Sequence, residues 1–143
     1  APSTLASPRR NVVGWDSSRL AMLTAVLEAR CGVPLSGRDI FLNVAGGLKI
    51  SETAADLAVA AALISSVSGR PAPPRSVFFG EVALSAELRQ VAQADARLKE
   101  ASKLGFDMAV MPRPRKKLAA PSGLSLAQPS TLAELIEILG GVT

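Results

Sequence analysis

The sequence predicts an α+β domain in which helices pack on a mixed β-sheet. Three observations carry that expectation. The chain has 143 residues, enough for one domain with a continuous core. Hydrophobic residues make up 48% of it and aromatics only 3%, so an interior of Ala, Leu, Val and Ile can offset the conformational entropy of folding. Short, nearly continuous apolar runs alternate with longer stretches of helical period, and glycine or proline separates them. No internal repeat is visible.

The elements follow in chain order. Residues 1–8 form a Ser/Pro/Ala segment without periodicity, read as a linker or the tail of something upstream, and the domain proper is expected over 9–143. The missing initiator Met suggests a fragment or a processed product, and nothing resembles a signal peptide. Asp16 is placed to cap a helix to about Cys31, with Leu20, Leu23, Val26 and Leu27 on one face and Gly32 at its end. Residues 39–45 read as a buried strand, since Ile40, Phe41, Leu42 and Val44 are nearly continuous apolar residues. A helix over 53–68 is apolar on almost every side, which places it centrally, and Pro71, Pro73 and Pro74 break the chain after it. Residues 76–82 and 87–91 read as a hairpin around Leu84-Ser85-Ala86. A helix over 94–104 ends at Gly105, and a short strand over 107–111 is closed by Pro112. A weak strand over 124–127 and a helix over 131–139, capped by Ser130 or Thr131, complete the list.

Composition excludes several function classes. There is no histidine, which removes His-activated nucleophiles, His zinc ligands and His proton relays. A lone Cys31 permits no internal disulfide and suits a reducing, cytoplasmic setting. The richest apolar stretch, 54–64, is too short to span a bilayer and carries Asp56, so no membrane contact is expected. Sixteen basic against twelve acidic residues leave a net charge of +4. That excess permits contact with nucleic acid without demanding it.

Candidate motifs each have a bland alternative. Gly46-Gly47-Leu48-Lys49 lacks the spacing of a phosphate-binding loop, and its glycines suit a sharp turn at a strand end. Ser51, Ser65 and Ser66 have no base identifiable by spacing. Asp95 and Lys99 lie four apart on one helix, as in a solvated surface pair, and Glu81 and Glu87 flank the hairpin. No catalytic constellation and no metal-ligand set survives. The run Arg113-Pro114-Arg115-Lys116-Lys117 places four cations in five residues of an extended loop. Solvation and phosphate contact are both open to it. Without interleaved aromatics, any nucleic-acid contact is expected to be backbone-directed and sequence-independent.

Two segments together resemble the proteolytic domain of the Lon protease family: residues 79–91, beginning Phe79-Gly80-Glu81-Val82, and residues 99–106 followed by Ala109-Val110-Met111-Pro112. Residues 16–23, 41–47 and 52–57 bring the resemblance closest to the C-terminal Lon-like domain of the RadA (Sms) family of bacterial DNA repair proteins, over about residues 9–139. The resemblance implies a Lon-protease-like fold, with Ala54 at the position of the Lon serine and Asp95 at that of its lysine. A serine–lysine dyad needs a hydroxyl beside a neutral amine, so the chain is expected to be non-catalytic. The Gly-Gly-Leu-Lys at 46–49 imitates the Lon lysine motif in the wrong place.

Proteins of the RadA family join a zinc finger, a RecA-like ATPase and this domain in hexameric rings that drive branch migration. The resemblance therefore implies ATP, Mg and Zn for other domains and no cofactor in this chain. It also implies self-association, a recombinase of the RecA type as partner, and one or two family strands upstream of Arg9 that are absent here. The cations expected to meet DNA, single-stranded or branched, are Arg113, Arg115, Lys116 and Lys117, joined by Arg19, Lys49, Arg89 and Arg97. Three alternatives stand beside this reading. One is the Lon-like domain of a magnesium-chelatase-like AAA+ protein, expected to show Phe-Asp-Leu-Pro where this chain has Ala55-Asp56-Leu57-Ala58. The others are an active Ser/Lys peptidase and an oligomerisation module without DNA contact.

Overall fold

Helix ends and buried faces follow the sequence signals closely in the computed structural model, which describes residues 10–13, 17–35, 40–43, 53–114 and 119–141. Strand β1 (Arg10–Val13) pairs in parallel with β2 (Ile40–Asn43), Arg10 opposite Ile40 and Val13 opposite Asn43. Helix α1 (Ser17–Cys31) runs between them and buries Leu20, Leu23, Val26 and Leu27. Gly32, at φ +68°, ends it: the Gly32 and Val33 amides donate to the Glu28 and Leu27 carbonyls at 3.2 and 3.1 Å, the left-handed closure that glycine adopts without strain. The expected Asp16 cap and the Gly46–Lys49 turn lie outside the described residues.

A single 3-10 turn (Thr53–Ala55) precedes α2 (Asp56–Ser68), so the regular helix starts later than its apolar pattern suggests. Leu57, Val59, Ala60, Ala61, Leu63 and Ile64 are buried, as a central helix requires. Strand β3 (Ser76–Phe78) then departs from expectation. It does not form the first arm of the hairpin but lies parallel to β6 (Met108–Val110), which is also parallel to β7 (Ser125–Ala127). The hairpin is confined to β4 (Glu81–Val82) and β5 (Leu88–Arg89). The chain changes partner at Gly80. The Phe79 amide still donates to Val110, at 3.1 Å, whereas the Gly80 amide donates to the Ala54 carbonyl at 2.9 Å. Antiparallel pairing is therefore local, and the three-stranded sheet is wholly parallel.

Period-two alternation then places helices on both faces of that sheet. Phe78, Met108, Val110 and Ala127 meet the cluster built on α1, α2 and α4 (Leu132–Ile138). Val77, Phe79, Ala109, Met111 and Leu126 meet α3 (Ala94–Lys103) through Leu98 and Ala101. The fold is a mixed α/β arrangement, consistent with the expected α+β class. Helix α4 is capped as predicted: Thr131 Oγ1 accepts from the Glu134 amide at 3.2 Å, and the Glu134 carboxylate accepts from the Ser130 amide at 2.7 Å. No described helix is long and apolar enough to cross a membrane.

Cys31, at the end of α1, is half-buried against the larger cluster, and burial pushes its thiol pKa up. A raised pKa means less thiolate at a given pH. Iodoacetamide at pH 8 is therefore expected to label Cys31 more slowly in the folded chain than in urea. Equal rates would contradict this placement.

Candidate nucleic-acid interface

The position equivalent by resemblance to a nucleophile carries a methyl group and is closed. Ala54 is buried in the 3-10 turn, and its carbonyl is occupied by the Gly80 amide. The Leu57 amide returns a bond to the Gly80 carbonyl at 3.1 Å. Gly80 itself has no room for a side chain, because a Cβ there would lie 2.8 Å from Pro112 Cδ and 3.4 Å from Leu57 Cδ2. Asp95, in the first turn of α3, is exposed, and so is Lys99.

Beside this seam lies a polar contact that sequence reasoning noted only as a charge inside an apolar helix. Asp56 is fully buried. Its Oδ1 accepts from Arg19 Nε at 2.8 Å and its Oδ2 from Arg19 Nη2, while the Val82 amide donates to Oδ2 at 3.0 Å. One carboxylate thus joins α1, α2 and the hairpin. The fork of Arg19 matches a carboxylate in two-point geometry, which makes this cation a structural strut. The signal available in the sequence was an acidic residue opening an otherwise apolar helix.

The remaining predicted cations separate into three groups. Lys49, Arg115, Lys116 and Lys117 lie outside the described residues. Arg97, on α3, donates from Nε to the Ala92 carbonyl at 3.1 Å. Arg89 and Arg113 come together. They line one open groove with Leu88 and Gln90, although they are 24 positions apart in the chain.

Each wall of the groove has a physical origin. Leu88 and Arg89 form β5, whose far side is tied to the start of α4: the Leu88 amide donates to Ser130 and the Leu132 amide to Ala86, both at 2.9 Å. Cross-strand pairing sets Arg89 opposite Glu81, with Nη1 3.8 Å from Oε1; both side chains are reached by water, so the attraction is weak. Arg113 is exposed between Pro112, which is buried against Gly80, and Pro114. Its carbonyl accepts from Gln90 Nε2 at 3.2 Å. Gln90 carries no signal in the sequence, since a single amide at a strand end belongs to no motif. The groove is lined by two arginines and a glutamine. That donor set suits the oxygens of an anion such as phosphate. Among the described residues no group of His, Cys, Asp and Glu converges in a metal-binding cluster.

The family model described as subunit ChlI of Mg-chelatase matches residues 16–115, well over half of the chain. The chain belongs to this family. Its curated relatives include proteins named DNA repair protein RadA. That of Brucella abortus is 53% identical over 136 residues, which cover 95% of this chain and 29% of the relative. That of Pseudomonas aeruginosa is 47% identical over 137 residues, covering 96% of the chain and 30% of the relative. That of Rickettsia bellii is 56% identical over 106 residues, covering 74% and 24%. The chain spans less than a third of the length of these relatives. The family match spans the stretch that holds α1, α2, the hairpin and the Arg89–Arg113 groove.

Proposed function

We propose that the chain is a non-catalytic Lon-like domain of a RadA-type DNA repair protein, and that it supplies sequence-independent contacts to the DNA backbone. The observation that carries the reading is the groove of Arg89, Gln90 and Arg113 at the root of the cationic run 113–117. Its donors suit phosphate oxygens, and among the described residues no aromatic side chain lines it for base stacking. The closed turn at Ala54 supports the absence of peptidase chemistry, since a methyl group cannot replace a serine hydroxyl. In this reading ATP hydrolysis, Mg and Zn belong to other domains of such a protein. The domain scaffolds a hexameric ring in the cytoplasm, and the whole assembly drives branch migration alongside a recombinase of the RecA type.

The magnesium-chelatase-like alternative draws on the family match. Against it, Ala55-Asp56-Leu57-Ala58 departs from the Phe-Asp-Leu-Pro expected there, and the relatives of about half identity are named for DNA repair.

Fluorescence anisotropy with a labelled single strand across a salt series tests the DNA contact. Changing Arg113, Arg115, Lys116 and Lys117 to Gln is expected to weaken binding about tenfold or more at low salt. The same change should flatten the log–log salt dependence by about 0.7 for each cation that meets a phosphate. Affinity equal to wild type at low salt would remove the loop from the interface.

A further inference from the structure

We propose that Gln90 is the positioning residue of the groove, holding the backbone of Arg113 so that its guanidinium and that of Arg89 address one stretch of phosphate backbone together. This rests on the proposed DNA contact and assigns a role to a side chain without charge. Arg113 stands between two prolines. Each proline fixes its own φ, and Pro114 restricts Arg113 to extended conformations. On the inner side the loop is moored, because Pro112 is buried and its ring fills the space over Gly80. On the outer side, among the described contacts, the Arg113 carbonyl is tied by Gln90 Nε2 at 3.2 Å. Gln90 directly follows Arg89 on β5, so one bond fixes the spacing between the two cations that line the groove. The remaining freedom of a long Arg side chain costs affinity when it is frozen on binding, and a fixed backbone reduces how much must be frozen.

A positioning role and a charge contact leave different signatures. Removing a cation that meets a phosphate lowers both the affinity and the slope of log K against log salt, whereas removing a positioning amide lowers the affinity and leaves the slope in place. The test is single-strand anisotropy from 50 to 300 mM NaCl on wild type, Arg89→Gln, Arg113→Gln, Gln90→Ala and Gln90→Glu, with urea midpoints to check folding. Arg89→Gln and Arg113→Gln should each reduce the slope by about 0.7. Gln90→Ala should weaken binding about three- to tenfold, the range for ordering one more long side chain on binding, with the wild-type slope and a midpoint close to that of wild type. Gln90→Glu, which cannot donate and adds a negative charge, should weaken binding further. Wild-type affinity in Gln90→Ala, beside reduced slopes in the two Arg variants, overturns the role of Gln90 and leaves the DNA contact standing. A reduced slope in Gln90→Ala also overturns it. Unchanged slopes in both Arg variants, or no binding by the wild type, overturn the DNA contact at this groove and the inference with it.

Discussion

Arg19→Ala is expected to lower the unfolding free energy by about 3–5 kcal/mol, the range for removing one partner of a buried ion pair. The loss comes less from missing attraction than from what remains. Asp56 would keep its carboxylate fully buried with only the Val82 amide to satisfy it, since the side-chain exposures of the pair are 25% for Arg19 and 0% for Asp56. An unpaired charge removed from water is costly in any apolar interior. Asp56→Asn separates the two contributions: the amide oxygen can still accept from Val82, but the charge and the second acceptor oxygen are lost. Its cost should therefore fall below that of Arg19→Ala. Replacing both residues with apolar side chains of similar size should recover much of the stability. Urea denaturation of the chain measures each variant. A cost under 1 kcal/mol for Arg19→Ala would show that the pair contributes little to the junction of α1, α2 and the hairpin.

Substitution at Gly80 is the second large effect. Its φ is not among the positive values of this chain, so the penalty is purely one of space. A Cβ would meet Pro112 Cδ at 2.8 Å and Cγ at 3.2 Å, and the ring is rigid and buried. Something must shift: the proline, the Gly80–Ala54 bond or the Gly80–Leu57 bond. Gly80→Ala is expected to cost roughly 1–3 kcal/mol, and Gly80→Val more, as over-packing of a dense interior does. Because Pro112 adjoins Arg113, the same variants should also weaken DNA binding. Adding Pro112→Ala should return part of the stability, a non-additivity that neighbours in contact display. Thermal midpoints for the two single variants and the double variant check this. A Gly80→Ala midpoint equal to wild type would place the Pro112 ring elsewhere.

Both effects concern residues whose types were visible in the sequence but whose partners were not. Leu20, Leu23, Val26 and Leu27 face the core as their spacing implied, and Gly32 and Thr131 end and begin helices where local chemistry placed them. Those features are local, so sequence periodicity reports them. The apolar run 76–82 divides between two sheets, which the sequence does not show because such a run bears no mark of its partner. The switch from Val110 to Ala54 at Gly80 depends on a glycine whose neighbours Ala54, Leu57 and Pro112 lie 26, 23 and 32 positions away. The strand at 10–13 leaves no mark in the sequence, because four residues beside a polar segment show no useful period. In the groove, the charge of Arg89 and Arg113 was legible and their meeting was not. The link passes through Gln90, a neutral side chain in a sequence that offers many such residues.

The parallel sheet has a consequence for how the chain reaches its native state. Its central strand, β6, is made after β3, and the two are joined through the hairpin and α3. On the ribosome β3 therefore waits, without its sheet partner, until Val110 has been synthesised and has emerged. Parallel pairing across so long a connection closes slowly; during that interval Phe78 can meet the cluster of α1 and α2, whereas Val77 and Phe79 wait for α3 to be made. The vulnerable period for this domain lies in its own synthesis, in the middle of the chain, and any factor that shields nascent apolar segments would be needed most there.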